Sequence, residues 1–235
     1  MEATFHEQSI VGEIVTKFPR SADLFKQYKI DFCCGGDKPL KSAIEGKEIL
    51  LADLLKTLNE SYEDMIRSKE KIKEWNSFSN TVLINHIINT HHRFLNEELP
   101  QLSPYVTKVF RVHGAKQKHL AKVHSLFHQL KTELEQHTMK EENEVFPIII
   151  SYEDTHSDED LQLLKKAIIE LEDDHDDAGD CIKELREITN DFTPPSGACG
   201  TYRLVYQRLE ELESDIFQHV HLENNILFPR VLTHK

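Results

Sequence analysis

Apolar residues recur at helical spacing through most of the chain, and alternating strand patterns are absent. Four long segments stand out in the C-terminal two thirds. The spacing predicts helices from Ser79 to Leu99, stopping at Pro100, and from Ala115 to Phe146. A third starts after Ser157, with Asp158, Glu159 and Asp160 in its first turn, and ends near Asn190. The fourth runs from Tyr202 to Phe228. Segments of this size are about 30–45 Å long, and with short connections they make an antiparallel four-helix bundle.

The N-terminal part reads as shorter helices. Ser9 is placed to cap one carrying Ile10, Val11, Ile14, Val15 and Phe18, and Ser21 one carrying Leu24, Phe25 and Tyr28. The run Asp31-Phe32-Cys33-Cys34-Gly35-Gly36-Asp37-Lys38-Pro39 is a turn, with Pro39 near the first turn of a further helix. Glu60 to Glu74 is almost wholly polar. The expected organisation is all-α: a small helical domain over 1–60, a connector over 61–77 and the bundle over 78–235.

Charge and composition narrow the chemistry. The 235 residues carry 28 Lys and Arg against 41 Asp and Glu, a net charge of −13. Residues 76–235 hold most of the excess, with 16 basic and 27 acidic side chains. A nucleic-acid partner, which demands a basic face, is excluded as an expectation. The longest uninterrupted apolar stretch, Val145 to Ile150, is too short to span a membrane. The first residues lack a basic-then-apolar leader pattern, so a cytoplasmic location is expected. Four cysteines do not make a disulfide scaffold. Fourteen histidines, by contrast, are unusually many for this length, and all but His6 lie after residue 76.

Some of these histidines interrupt the apolar stripes. Two segments 82 residues apart, starting at His137 and His219, both read His-x-x-x-Glu-x-Asn-x-(Val/Leu)-Phe-Pro. His and Glu at i and i+4 share a helix face. His137 and Glu141 fall on the stripe of Leu126, Leu130, Leu134, Val145 and Ile148; His219 and Glu223 fall on that of Leu209, Leu212, Ile216 and Ile226. In the third helix His175 interrupts Ile168, Leu171, Ala178, Ile182 and Leu185, and in the first His92 interrupts Ile84, Ile88, Leu95 and Leu99. His91, on the adjacent stripe, is the rival to His92. Glu142, Glu144 and His221 are nearby but less well placed.

A buried carboxylate without compensation is very costly, and a cation removes that cost. His92, His137, Glu141, His175, His219 and Glu223 supply four imidazoles and two carboxylates. One tetrahedral zinc needs only four ligands and favours Cys and His. Six N/O ligands, two able to bridge, fit a dinuclear first-row centre better, with iron favoured and manganese an alternative. Open positions on such a centre suit O2, nitric oxide or peroxide. The remaining histidines outside the N-terminal region read as surface groups or as partners of the ligands.

Cys33 and Cys34 are redox candidates, because a nearby helix start can lower a thiol pKa. Two small buried residues in a turn is the equally weighted reading. Cys181 lies beside the core stripe of the third helix and reads as packing, whereas Cys199 follows the Pro194-Pro195 loop and is ambiguous.

Taken together, the Asp31-to-Gly36 motif, the His137 and His219 repeats, His175 followed by Asp176-Asp177-Ala178-Gly179, and Thr193-Pro194-Pro195 with Ala198-Cys199 resemble the Repair of Iron Centres family. The likeness covers almost the full length. It implies a hemerythrin-like bundle behind a cysteine-pair domain, and two non-haem iron ions held by the six inward residues with Glu141 and Glu223 bridging. It also places the first-helix ligand at the second histidine of His91-His92. The implied function is repair of iron–sulfur clusters damaged by nitrosative and oxidative stress, by donating iron to damaged iron–sulfur proteins and often as a homodimer. Nitric oxide reduction, or O2 and nitric oxide binding and sensing, at the same centre is the alternative.

Overall fold

The computed structural model describes residues 3–68 and 74–233. Helix is the regular structure of these residues, and the only strand-like pairing described is one antiparallel bridge, Ile10 to Pro39. None of the described helices is long and apolar enough to cross a membrane. The chain divides into two compact units: Met1–Ser79 with Val220–Lys235, and Asn80–His219. Part of the polar stretch before Glu74, residues 69–73, and also His234 lie outside the described residues.

The larger unit is the bundle. It comprises α5 (Asn80–Ile87), α6 (Arg93–His113), α7 (Leu120–Lys140), α8 (Phe146–Thr155), α9 (Asp158–Ile188) and most of α10 (Gly200–Leu222). Helix α7 packs on α6 and α9, while α8 packs on α5 and α9. Ser157 caps α9 by accepting from the Asp160 N–H, as expected of a serine before an acidic first turn. Buried and half-buried ion pairs tie α10 to its neighbours: Arg186 to Glu213, and Arg208 Nε to Glu98 Oε1 at 2.6 Å.

The first-helix boundary differs from the sequence expectation. Pro100 does not stop the helix; α6 runs through Pro100 and Pro104. A proline inside a helix costs about 3 kcal/mol. Leu95, Leu99, Leu102, Val106 and Val109 are all buried along α6, and each such burial contributes about 1.5–3 kcal/mol. Packing therefore outweighs the local break.

Three π-helical turns interrupt the bundle helices: Ile88–His92, Glu141–Val145 and Glu223–Leu227. Two of them immediately precede the Phe-Pro of the repeated motif. A helical proline clashes with the carbonyl four residues back, here that of Asn143 or Asn225, and widening the turn by one residue relieves the clash. The extra residue also moves the register. Ile149 is fully buried and Ile148 only half-buried, the reverse of what an unbroken 3.6-residue period predicts.

In the smaller unit, α1 (Val11–Lys17), α2 (Ser21–Gln27), α3 (Leu40–Ala43) and α4 (Leu51–Arg67) gather around Phe5, Phe18, Phe25 and Phe32. The two expected serine caps are corrected. Ser9 Oγ accepts from the His6 N–H instead, so the N-cap of α1 is Ile10 with no side-chain bond. Ser21 is the first residue of α2 and donates to the Phe18 carbonyl. In both places local turn bonds win the hydroxyl.

The C-terminal segment belongs to this unit. Asn225 donates its side-chain amide to the carbonyls of Phe32 at 3.3 Å and Cys33 at 3.0 Å. Asn225 Oδ1 lies so close to Gly12 and Gly36 that a Cβ on either would come within 2.2 and 2.3 Å of it. Gly12 is thus required by the approach of Asn225, and Gly36 by Asn225 together with the Phe32 carbonyl, which its Cβ would meet at 2.6 Å.

Candidate metal centre

Each of the six inward residues is buried: His92, His137, Glu141, His175, His219 and Glu223. Their ligand atoms form two groups, His92–Glu141–His219–Glu223 and His137–Glu141–His175–Glu223, each with its members within 4.8 Å of one another. Both carboxylates are common to both groups. The covalent logic is simple. His137 and Glu141 straddle the end of α7, and α10 runs directly into the π turn that begins with Glu223, so each repeat delivers its histidine and carboxylate one turn apart.

The nitrogen geometry has a chemical reading. His92 Nε2 stands 3.1 Å from His219 Nε2, and His137 Nε2 stands 2.9 Å from His175 Nε2. These are ordinary hydrogen-bond separations, so each pair can share one N–H, and a cation bound by both nitrogens would take the place of that proton.

Glu141 tests whether the residues fit a cation. Its carboxylate is completely buried, and neither oxygen has a hydrogen-bond partner. The Nε2 atoms of His92 and His137 approach Oε2 at 3.3 Å without hydrogen-bond alignment, and His219 Nε2 lies at 3.9 Å. Burial pushes the Glu141 carboxyl up, but His137, His92 and His219 overcome this and hold it well below the usual carboxylate range. An ionised carboxylate kept in a dry interior without hydrogen bonds is a poor structural device and a good metal ligand. The donor set fits a first-row cation.

Outer groups orient the rings. His92 Nδ1 lies 2.8 Å from Glu142 Oε1, and His137 Nδ1 lies 3.4 Å from Asp174 Oδ2. An N–H donated outward at Nδ1 leaves Nε2 as the inward lone pair, the tautomer that a ligating imidazole needs. Glu142 lies off the apolar stripe of α7 and so is not among the six residues that the sequence pattern points inward. A residue that supports the ligand of a different helix lies off its own stripe by necessity, so the pattern on α7 held no signal for it.

His91 has partners of its own. It is buried, its Nδ1 lies 2.9 Å from Asp215 Oδ1, and its ring stacks on that of His219 at 5.7 Å and 3°. It lies against a ring of the cluster and is absent from both His/Glu groups. Glu144 is exposed. His221 is buried in the smaller unit, edge-on to Phe32 at 6.1 Å, with Nε2 3.4 Å from Thr16 Oγ1.

The cysteines divide. Cys181 is buried, donates to the Leu126 carbonyl at 3.4 Å, and is pushed up to about 12 by burial, consistent with packing. Cys199 is exposed, 3.4 Å from His113 Nε2. Cys33 is buried with its thiol held well above the ordinary value, chiefly by its contact with Cys34 and by burial. The expectation of a lowered thiol pKa at this position is therefore corrected. The helix that follows, α3, has only four residues, too short a dipole to offset burial.

Comparison with known proteins agrees with this architecture. Residues 83–231 match the hemerythrin HHE cation binding domain, and residues 7–62 match a domain of unknown function, DUF542. The chain is 38% identical over 226 residues to the iron-sulfur cluster repair protein ScdA of Staphylococcus epidermidis, covering 96% of this chain and 98% of that protein. It is 35% identical over 232 residues to the iron-sulfur cluster repair protein YtfE of Citrobacter koseri, covering 97% and 98%. It is 34% identical over 228 residues to a probable iron-sulfur cluster repair protein of Haemophilus influenzae, again covering 97% and 98%.

Proposed function

The chain belongs to the family of iron–sulfur cluster repair proteins that join a DUF542 domain to a hemerythrin HHE cation binding domain, and from that premise we propose that it repairs damaged clusters by surrendering iron from the buried centre. His92 and His219 would hold one iron ion and His137 and His175 a second, with Glu141 and Glu223 available to both. The observation that carries this is the pair of buried ligand groups sharing both carboxylates. When bound, iron supplies an exchangeable, redox-active cation. The residues present divide the remaining work. Glu142 and Asp174 hold two ligand rings in the metal-ready tautomer, and Asp215 holds His91 against the ring of His219. The clients are iron–sulfur proteins damaged by nitric oxide or oxidants, in a reducing compartment suited to cysteines that form no disulfide.

The test adds the iron-loaded full chain to an enzyme whose cluster has been damaged by nitric oxide. Recovery of client activity together with loss of iron from this protein is the expected result, and Glu141→Ala and Glu223→Ala should abolish it. Recovery that survives both substitutions sinks the donation reading. Sustained nitrous oxide formation with an electron donor, at constant iron content, would replace it with nitric oxide reduction.

A further inference from the structure

The cysteine-pair turn has no part in the ligand groups of the buried centre, yet it places three metal-competent donors together. Asp31, Cys33 and Cys34 each bring one ligand atom within 4.8 Å of the other two. Cys33 Sγ lies 3.9 Å from Cys34 Sγ and 3.3 Å from Asp31 Oδ1. We propose that Asp31, Cys33 and Cys34 form a second metal site, with a ligand set of its own, for a borderline or soft divalent ion such as ferrous iron or zinc.

The backbone holds the three donors in place. Asp31 Oδ1 accepts from the N–H groups of Cys33, Cys34 and Gly35 at 3.1–3.2 Å, closing the turn on its own side chain. Asn225 holds the carbonyls of Phe32 and Cys33 from outside the turn. The Gly36 carbonyl accepts from the Gly12 N–H at 2.7 Å, and that of Lys38 from the Val11 N–H at 3.0 Å. A turn fixed at both ends loses little entropy when an ion binds.

A disulfide is the obvious competitor for two neighbouring thiols. Adjacent cysteines seldom close one without strain, and these two are not bonded, their sulfurs standing 3.9 Å apart. Nucleophilic use of Cys33 is also poorly supported, since it is buried among groups that favour the protonated thiol. A divalent cation reverses that preference. Both thiols deprotonate on binding: one ion enters, two sulfur–metal bonds form, two protons leave to solvent, and no electron is transferred. Asp31 adds a third anionic donor, and water completes the shell. Two sulfurs with one oxygen disfavour magnesium and calcium and favour zinc or ferrous iron. Cys34 and Asp31 are half-buried, which leaves the ion a way in.

The proposal is independent of the iron-donation reading and is tested without client repair. Cobalt(II) is titrated into the reduced full-length protein carrying its resident metal. The buried His/Glu centre contains no thiolate, so a sulfur-to-cobalt charge-transfer band reports sulfur ligation alone. One equivalent per chain should raise this band, and Cys33→Ser and Cys34→Ser should each lose it. Cys199→Ser should keep it, and Asp31→Asn should weaken cobalt binding while preserving the acceptor that closes the turn. In the unaltered chain, zinc should slow alkylation of Cys33 and Cys34, read peptide by peptide, and leave Cys199 unchanged. Absence of the band at excess cobalt, its survival in both cysteine variants, or no zinc protection of the pair overturns the proposal.

Discussion

His137 and His175 come from different helices, yet their Nε2 atoms stand 2.9 Å apart inside the bundle. Two protonated imidazoles could not share that space, whereas a neutral pair can share one N–H between the two nitrogens. A cation bound by both rings would take the place of that proton. Replacing His175 with Ala should therefore remove a metal ion without unfolding the bundle, because Leu171, Ala178 and Ile182 keep the α9 stripe intact. Metal content per chain, measured with helical content, checks this; full metal retention would count against the assignment.

Glu141 ties stability to metal loading. Its carboxylate is buried without a hydrogen-bond partner, with the rings of His92, His137 and His219 around it. In metal-free protein, Glu141→Met should lower unfolding stability by on the order of 3 kcal/mol, because those rings hold the carboxyl ionised and lose the anion they surround. The same substitution should abolish metal loading. Urea unfolding of the metal-free forms and metal analysis of the loaded forms read the two effects separately.

Glu142 acts through His92. Glu142→Ala deprives His92 Nδ1 of the carboxylate at 2.8 Å. Metal affinity should fall by about 10- to 100-fold while the fold persists, the usual consequence of losing the outer partner of a ligating imidazole. Competition against a chelator of known affinity measures the change, and an unchanged affinity would show that Glu142 does not orient the ring.

Gly12 is constrained chiefly by one side chain, that of Asn225. An alanine there would put its Cβ 2.2 Å from Asn225 Oδ1. Gly12→Ala should destabilise the smaller unit by about 1–3 kcal/mol. In an Asn225→Ala background the further cost should shrink markedly, since the obstructing amide is gone. A double-mutant cycle on urea unfolding isolates the coupling.

His221 predicts a pH dependence of definite sign. Burial lowers its pKa to about 4 in the folded chain. The unfolded side chain titrates near about 6.5, so the unfolded state binds more protons between those values. This contribution is fully present above about pH 6.5 and is lost as the pH falls towards 4, on the order of 3 kcal/mol in all. His221→Phe should flatten that part of the stability profile. The difference between the two chains in unfolding free energy against pH checks it, and parallel profiles would refute it.

Much of the bundle and of the buried His/Glu cluster is legible in the sequence, because burial leaves a one-dimensional trace. Leu171, His175 and Ala178 announce a core histidine by their spacing, and the repeat at His137 and His219 announces paired ligands. The bundle reading carried further than the boundaries did. Pro100 looked like a stop because local propensity is visible in the sequence, whereas the buried face of α6 that carries the helix past it depends on α7.

Other features depend on contacts between residues far apart in the chain, and no helical period encodes those. Asn143 and Asn225 occupy the same place in the repeated motif. Asn143 is exposed and bonds back to the Met139 carbonyl of its own helix, while Asn225 reaches across the chain to Phe32 and Cys33. Likewise Glu142, off its own stripe, finds His92 fifty residues away. Helical periodicity reports which side of a helix is dry; which group stands opposite is set by how the helices pack, and in this protein that packing places His92, not His91, among the clustered His and Glu donors and joins the second asparagine to the cysteine turn.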